Sequence, residues 1–237
     1  MDVITWNTGR FHWPGRVQSW TSDASLPDVA ARLLRWGAPL VFLQEIRLPH
    51  QPARLLQLLG PAWRACWTQM WGSERQVLAL TRLPPEVLSW EVVDTGTGRD
   101  AIHARLGLAD GRALHLVGCH ACAWRAEHRR RYFAALRSLL EPLPAGDSAV
   151  LLGDFNLDPW LARWTRDRET LAELRAGWRD LATVRRATCG GVLRLDHAWA
   201  RAQDPVRAEL TRLPGAWRHG RDHAPLRLTL DPLGLTP

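Results

Sequence analysis

The sequence predicts a mixed α/β domain in which strands and helices do not alternate strictly. Three observations carry this. Apolar runs of strand length, such as Leu40–Leu43 and Ala149–Leu152, end in polar or glycine residues. Longer stretches place apolar residues at helical spacing, at 26, 29, 30, 33, 34 and 36 and again at 132, 133, 136, 139 and 140. Between Trp63 and Leu106, strand-like stretches follow one another with no helical pattern between them. A chain of 237 residues suffices for one large domain and is marginal for two, so residues 1–237 are read as a single domain.

In order, a strand is predicted over residues 2–6, closed by Asn7-Thr8-Gly9, and a loop over 11–25. A helix follows over 26–36, with Pro27 suited to its first turn and Gly37 as its cap. Leu40–Leu43 is a short strand ending in Gln44-Glu45. A helix over 52–59 stops at Gly60-Pro61. Strands are read over 63–70, 76–80, 87–93, 101–106 and 114–118, the last ending in Cys119-His120. The longest helix spans 124–140. Ala149–Leu152 is a buried strand that Gly153 ends, followed by Asp154-Phe155-Asn156-Leu157-Asp158-Pro159. A helix over about 168–177 and strands over 193–200, 206–210 and 225–230 complete the chain. No internal repeat or low-complexity linker is visible.

Composition narrows the partners. The charge is +7 at a pI near 10.6, and since the chain has no lysine, all 31 basic side chains are arginine. A coding bias is the plainer reading of the missing lysine, but the net charge still suits a polyanion, nucleic acid or an anionic lipid surface. Fourteen tryptophans are many, and some are expected to lie exposed as contact surface. No apolar run approaches the roughly 20 residues of a membrane span. Met1 leads directly into a strand without a signal-like segment, so a cytoplasmic location is expected. Cys119 and Cys122 have the spacing of a zinc or redox pair, but no second pair completes a zinc site.

Polar residues gather at the strand ends. Asn7, Glu45, His120 and Asp154 with Asn156 follow predicted strands, Asp196 lies near the start of one, and Asp222-His223 precede the last. Open α/β sheets place their chemistry at such carboxyl ends. The carboxylates can converge if their strands share one sheet edge or face, and would then form a hard-oxygen site. Glu45 and Asp222 suit Mg²⁺, which takes one or two protein carboxylates and keeps its other positions for water and phosphate. A carboxylate beside a histidine suits an oriented general base. Taken singly, Glu45 can also be read as a helix-start acid, His120 as a core histidine, and the Asp154 loop, Asp196 and Asp222-His223 as turns.

The order N…QE…H…GDFN…RLDH…DHAPL, from Asn7 to Pro225, resembles the endonuclease/exonuclease/phosphatase superfamily of Mg²⁺-dependent phosphoesterases. The resemblance implies a four-layer sandwich, two packed mixed β-sheets with helices on both outer faces. It implies that Glu45 binds metal, that Asn7 supports the metal and phosphate site, and that Asp222 lies close to the metal. It implies that Asp154 orients or deprotonates the attacking water and that Asn156 positions the phosphate. His223 would contact the phosphate or serve as base, with Asp196 orienting it. His120 matches the branch resembling pancreatic-type deoxyribonucleases, in which a glutamate pairs with that histidine; Glu74 is the candidate here. Gly9 stands where abasic-site enzymes often carry an acid, and Arg221 where Ser usually precedes Asp-His.

Together these readings predict a nuclease, a monomer that hydrolyses phosphodiesters in nucleic acid with Mg²⁺ or Mn²⁺. Arg125, Arg129 and Arg221 are candidate phosphate contacts, although a solvated helix face is the plainer account of Arg125, Arg129, Arg130 and Arg131. Trp160 and Trp164 could stack on a base, with packing the plainer account. The alternatives are a phosphomonoesterase or lipid phosphodiesterase of the same family, of the inositol-polyphosphate phosphatase or sphingomyelinase type, and a nucleic-acid-binding module that has lost turnover.

Overall fold

The computed structural model describes residues 1–9, 23–46, 48–68, 76–182, 187–190, 192–201, 204, 207–214 and 223–231. The apolar runs divide between two faces. Val150 and Leu152 point into one core cluster, while Ala149 and Leu151 point into another. Val3 and Ile4 split likewise, as do Phe42 and Leu43. A strand that is apolar on both faces must be covered on both, and two sheets with outer helices satisfy that.

The first sheet runs β11-β12-β1-β2-β4-β3, and the second runs β5-β6-β7-β8-β10-β9. In the first, β1 is Asp2–Asn7, β2 Leu40–Ile46, β3 Arg64–Trp67, β4 Gln76–Thr81, β11 Ala208–Arg212 and β12 Leu226–Leu230. In the second, β5 is Leu88–Val93, β6 Ala101–Gly107, β7 Ala113–His120, β8 Ser148–Asp154, β9 Trp178–Asp180 and β10 Asp196–Arg201. The sheets pack face to face through Val3, Leu40 and Phe42 from one and Leu116, Val150 and Leu152 from the other. Helices α1 (Leu26–Trp36) and α2 (Gln51–Leu59) cover the outer face of the first sheet through Leu26, Val29, Leu33 and Leu55. Helices α3 (Ala126–Leu140) and α4 (Arg168–Gly177) cover the second through Tyr132, Phe133, Leu136, Leu171 and Leu174. This is the four-layer sandwich that the family resemblance implies.

Each sheet holds one parallel pair at its centre, β1 with β2 and β7 with β8; the other pairings are antiparallel. The connection within each parallel pair contains a helix, α1 or α3, as a parallel crossover requires. The architecture therefore repeats although the sequence does not. Gly37 caps α1 at φ 69°, donating its N–H to Leu33 O as its position predicts. The short strand β9 has no sequence signal and was not expected. The helix predicted from Trp124 begins at Ala126, and the strand predicted from Leu193 begins at Asp196. No described helix is long and apolar enough to cross a membrane.

Candidate active site

Four of the singled-out residues sit at the ends of the two parallel pairs. Asn7 closes β1, Glu45 is next to last in β2, His120 closes β7 and Asp154 closes β8. Convergence comes neither from one sheet edge nor from one sheet face, the two arrangements expected from the sequence. The residues come from both sheets and meet where the two parallel pairs end. Asn7 joins the halves: its Nδ2 donates to Glu45 Oε1 at 3.0 Å and to Asp154 Oδ2 at 2.8 Å. Its Oδ1 accepts the Gly9 N–H at 2.9 Å, which fixes the orientation of the amide.

Glu45 lies where the β2–β4 register shifts between Gln44 and Ile46. Its backbone takes φ 67°, which costs an L-residue about 1–2 kcal/mol. Such an irregularity re-aims a side chain, here turning the carboxylate to Asn7. Thr8 secures the bend, donating both its N–H and its hydroxyl to Gln44 O at 3.0 Å.

Gly9 explains its own departure from the abasic-site pattern. A Cβ there would overlap Glu45 Oε2 and lie 3.2 Å from Asn7 Oδ1. The carboxylate occupies the space a side chain would need. Under the metal-binding role that the family resemblance implies for Glu45, Gly9→Ala is expected to push the carboxylate aside and to raise the divalent cation concentration needed for half-maximal hydrolysis by about tenfold or more. A metal titration of the purified variant checks this, and an unchanged titration would show that Glu45 moves freely.

Asp196 opens β10, directly across from Asp154 on β8. Its Oδ2 meets His223 Nδ1 at 2.8 Å, and the Cys189 side chain also hydrogen-bonds the ring. Sequence reasoning missed what holds this pair. Thr188 Oγ1 accepts the N–H groups of Leu195 and Asp196 at 3.0 Å each, and Thr188 O accepts the Ala224 N–H at 2.7 Å. Cys189 pairs with His223 in an isolated bridge, and Trp6 Nε1 donates to His223 O at 3.3 Å. Thr188 belongs to no motif, so no sequence signal marks it. The ligand atoms of Asp154, Asp196 and His223 lie within 4.8 Å of one another, the one such trio of potential metal-binding groups among the described residues.

Burial pushes the Asp154 carboxyl up to about 7, and the charge of Asp196 adds to this. His223 and the hydrogen bonds from Asn7 and the Asn156 N–H act in the opposite direction. For His223, burial alone would lower the imidazole. The charge and hydrogen bond of Asp196 outweigh it and hold the ring well above its usual value. His120 Nε2 lies 3.8 Å from Asp154 Oδ2, and the His120 N–H donates to the Tyr132 hydroxyl at 3.2 Å. Asn156, at φ 47°, donates Nδ2 to Ala121 O at 2.9 Å and so ties the loop after β8 to the loop after β7.

The other candidates fall elsewhere. Glu74, Arg221 and Asp222 lie outside the described residues. Arg129 is buried; it makes a bidentate pair with Asp167 at 2.6 and 2.9 Å and donates to the carbonyls of Cys122 and Ala123. Its guanidinium anchors the loop after His120 and has those groups as its partners. Arg125 flanks α3, with His128 at 3.5 Å. Cys119 is a buried thiol facing Val117 O, and burial pushes it far up. Among the described residues no metal-binding trio includes a cysteine.

His197, next to Asp196, is fully buried between Phe155 and Trp199. Its Nε2 faces the carbonyls of Leu157 and Arg194, and its Nδ1 accepts from Trp199 Nε1. Two carbonyls require a donor, so the ring is the neutral Nε2–H tautomer. Burial, then the charge of Arg194, push its pKa down to about 4. The unfolded ring binds its proton near 6.5, so the unfolded chain takes up a proton first as pH falls. Stability is full above about 6.5 and is expected to fall by roughly 3 kcal/mol as pH drops to about 4. Urea unfolding of wild type and His197→Gln across that range checks it; a slope shared equally by both would assign the loss to other groups.

A two-sheet sandwich that gathers Asn, Glu, Asp and His side chains at its parallel strand ends is the framework of a phosphoester-cleaving hydrolase. The chain belongs to the Endonuclease/Exonuclease/phosphatase family, whose sequence pattern matches residues 4–218. It is accordingly a phosphoesterase of that superfamily. No curated protein matches the sequence. Among solved structures, a 3'-5' exonuclease (NExo) from Neisseria meningitidis is similar at 20% identity and TM-score 0.69, covering 98% of this chain and 100% of its own. D. rerio TDP2 complexed with single strand DNA product is similar at 16% identity and TM-score 0.67, covering 98% of both chains. Mannosyl-6-phosphatase from Bacteroides thetaiotaomicron is similar at 13% identity and TM-score 0.69, covering 98% and 99%. At these identities the likeness is one of fold.

Proposed function

We propose that this single-domain chain is a Mg²⁺- or Mn²⁺-dependent nuclease that hydrolyses phosphodiester bonds. The observation that carries the reading is the joined set Asn7–Glu45–Asp154 beside the Asp196–His223 pair. Its donors are mostly hard oxygens, which suits Mg²⁺ or Mn²⁺. Glu45, supported by Asn7 and joined by Asp222, would hold the cation. When bound, such an ion polarises phosphoryl oxygen and stabilises the leaving oxygen.

The chain's own residues supply the proton chemistry. Asp154, pushed up to about 7, is poised to accept a proton from water near neutral pH. Asp196 keeps His223 protonated, and the imidazolium can donate to a developing oxyanion. His120 places a second imidazole beside Asp154, as in the histidine branch. Asn156, locked on Ala121 O, positions the phosphate.

Nucleic acid as substrate is supported by the all-arginine positive charge and by likeness in fold to an exonuclease and a DNA-bound protein. The likeness to a sugar phosphatase supports the monoesterase alternative. A hydrolysis panel decides between them: single- and double-stranded DNA, RNA, abasic DNA, inositol polyphosphates and a sugar phosphate. We expect cleavage of nucleic acid that stops on exhaustive chelation and returns with Mg²⁺. Turnover that survives chelation would remove the mechanism, and efficient turnover of the monoesters alone would remove the substrate.

A further inference from the structure

Ten of the fourteen tryptophans lie in described residues. Trp6, Trp63, Trp178 and Trp199 are buried, whereas Trp124, Trp160 and Trp164 are 78, 66 and 80% exposed. Next is Trp67, on β3 of the first sheet, at 42%. The three most exposed indoles are not scattered. Trp124 follows His120 by four residues, and Trp160 and Trp164 follow Asp154 by six and ten. All three stand on the segments that leave β7 and β8, the strands that end in His120 and Asp154. None makes an aromatic pair among the described residues. Packing, the plainer sequence account of Trp160 and Trp164, does not explain them.

Arginine is interleaved with these rings. Trp160 lines a cleft of about 490 Å³ with Arg163, Arg175 and Arg194. Trp124 lines a wider one of about 1000 Å³ with Arg125, Arg166 and Arg168. Most neighbouring acids are engaged, Asp167 with Arg129, Glu169 with Arg130, Glu127 with Arg131 and Asp180 with Arg194, while Asp158 accepts the backbone N–H groups of Trp160, Leu161 and Arg194. Arg163, Arg166, Arg168 and Arg175 make no ion pair among the described residues. The two clefts therefore set flat apolar rings among arginines that outnumber the acids lining them.

We propose that Trp124, Trp160 and Trp164 form a stacking platform for unpaired bases, with the interleaved arginines on the phosphates, so that the substrate is a single-stranded nucleic acid. The proposal rests on the nucleic-acid reading above. A duplex hides its base faces in its own stack, whereas a single strand offers each base to a ring. An anionic membrane surface would also accept Trp and Arg, but Trp124 and Trp160 line two separate clefts rather than one continuous apolar face.

The test is equilibrium binding of the full chain, in chelator to prevent turnover, to a fluorescein-labelled oligothymidylate, a matched duplex and phosphatidylserine vesicles. Wild type is expected to prefer the single strand. Trp124→Ala, Trp160→Ala and Trp164→Ala should each weaken it by roughly tenfold and the triple change by more than about a hundredfold. Trp67→Ala should leave affinity unchanged, and thermal midpoints identify any variant that fails to fold. A folded triple variant that binds the single strand within about twofold of wild type overturns the platform, as does wild-type preference for duplex or vesicles. If wild type still cleaves oligonucleotides in those cases, only the platform falls. If it binds neither strand nor duplex and hydrolyses only phosphomonoesters, the nucleic-acid reading falls with it.

Discussion

Asp154→Asn is expected to lower turnover by about two to four orders of magnitude while the chain stays folded, the loss typical of removing a general base. The carboxylate has two fixed oxygens, Oδ2 taking the Asn7 amide at 2.8 Å and Oδ1 taking the Asn156 N–H at 2.8 Å. Asparagine has nearly the same volume but one acceptor face. Whichever way the new amide turns, its NH₂ opposes another donor, a cost of about 1–3 kcal/mol. Relief of a buried charge offsets part of this, so the thermal midpoint should move by only a few degrees. The measurement pairs turnover with thermal unfolding. A folded variant with near-normal turnover would reduce the loop after β8 to a turn.

The second large effect is on stability. Gly153→Ala should cost more than about 3 kcal/mol, seen as a lower urea midpoint, and should remove activity as well. Gly153 sits at φ 137°, a region that side-chain-bearing residues rarely enter. A Cβ there would overlap Cys119 O and lie 2.9 Å from Cys119 N. Both obstacles are backbone, so no side-chain rotation relieves them. In the β7–β8 register Cys119 faces Gly153 and His120 faces Asp154, so strands forced apart here separate the imidazole from the carboxylate. A loss below about 1 kcal/mol would mean the sheet absorbs the methyl by a local shift.

The strand before Asp154 was legible because an unbroken apolar run must be covered on both sides, and the helices over 26–36 and 168–177 because their spacing is helical. Pairwise tertiary facts were not legible. That Asn7 would bond a carboxylate from each sheet depends on residues 38 and 147 positions away. Arg129 reads like its exposed neighbours on α3, and only the position of Asp167, 38 residues on, buries it. Trp160 and Trp164 are four apart, which resembles one face of an α-helix. The segment between them is a 3-10 turn, Leu161–Trp164, which leaves both rings outside. The role of Gly9 was invisible because a missing side chain shows its purpose only once Glu45 fills the space.

The place of β12 bears on biosynthesis. This strand, the last among the described residues, lies between β11 and β1. A nascent chain that has emerged through residue 212 already carries Asn7, Glu45, Asp154 and Asp196, yet β11 and β1 cannot be joined until β12 arrives. His223 precedes that strand by three residues, so the imidazole reaches Asp196 only as β12 docks. Completion of the site thus coincides with the docking of β12, and a polypeptide still lacking β12 holds carboxylates without the ring that works with them.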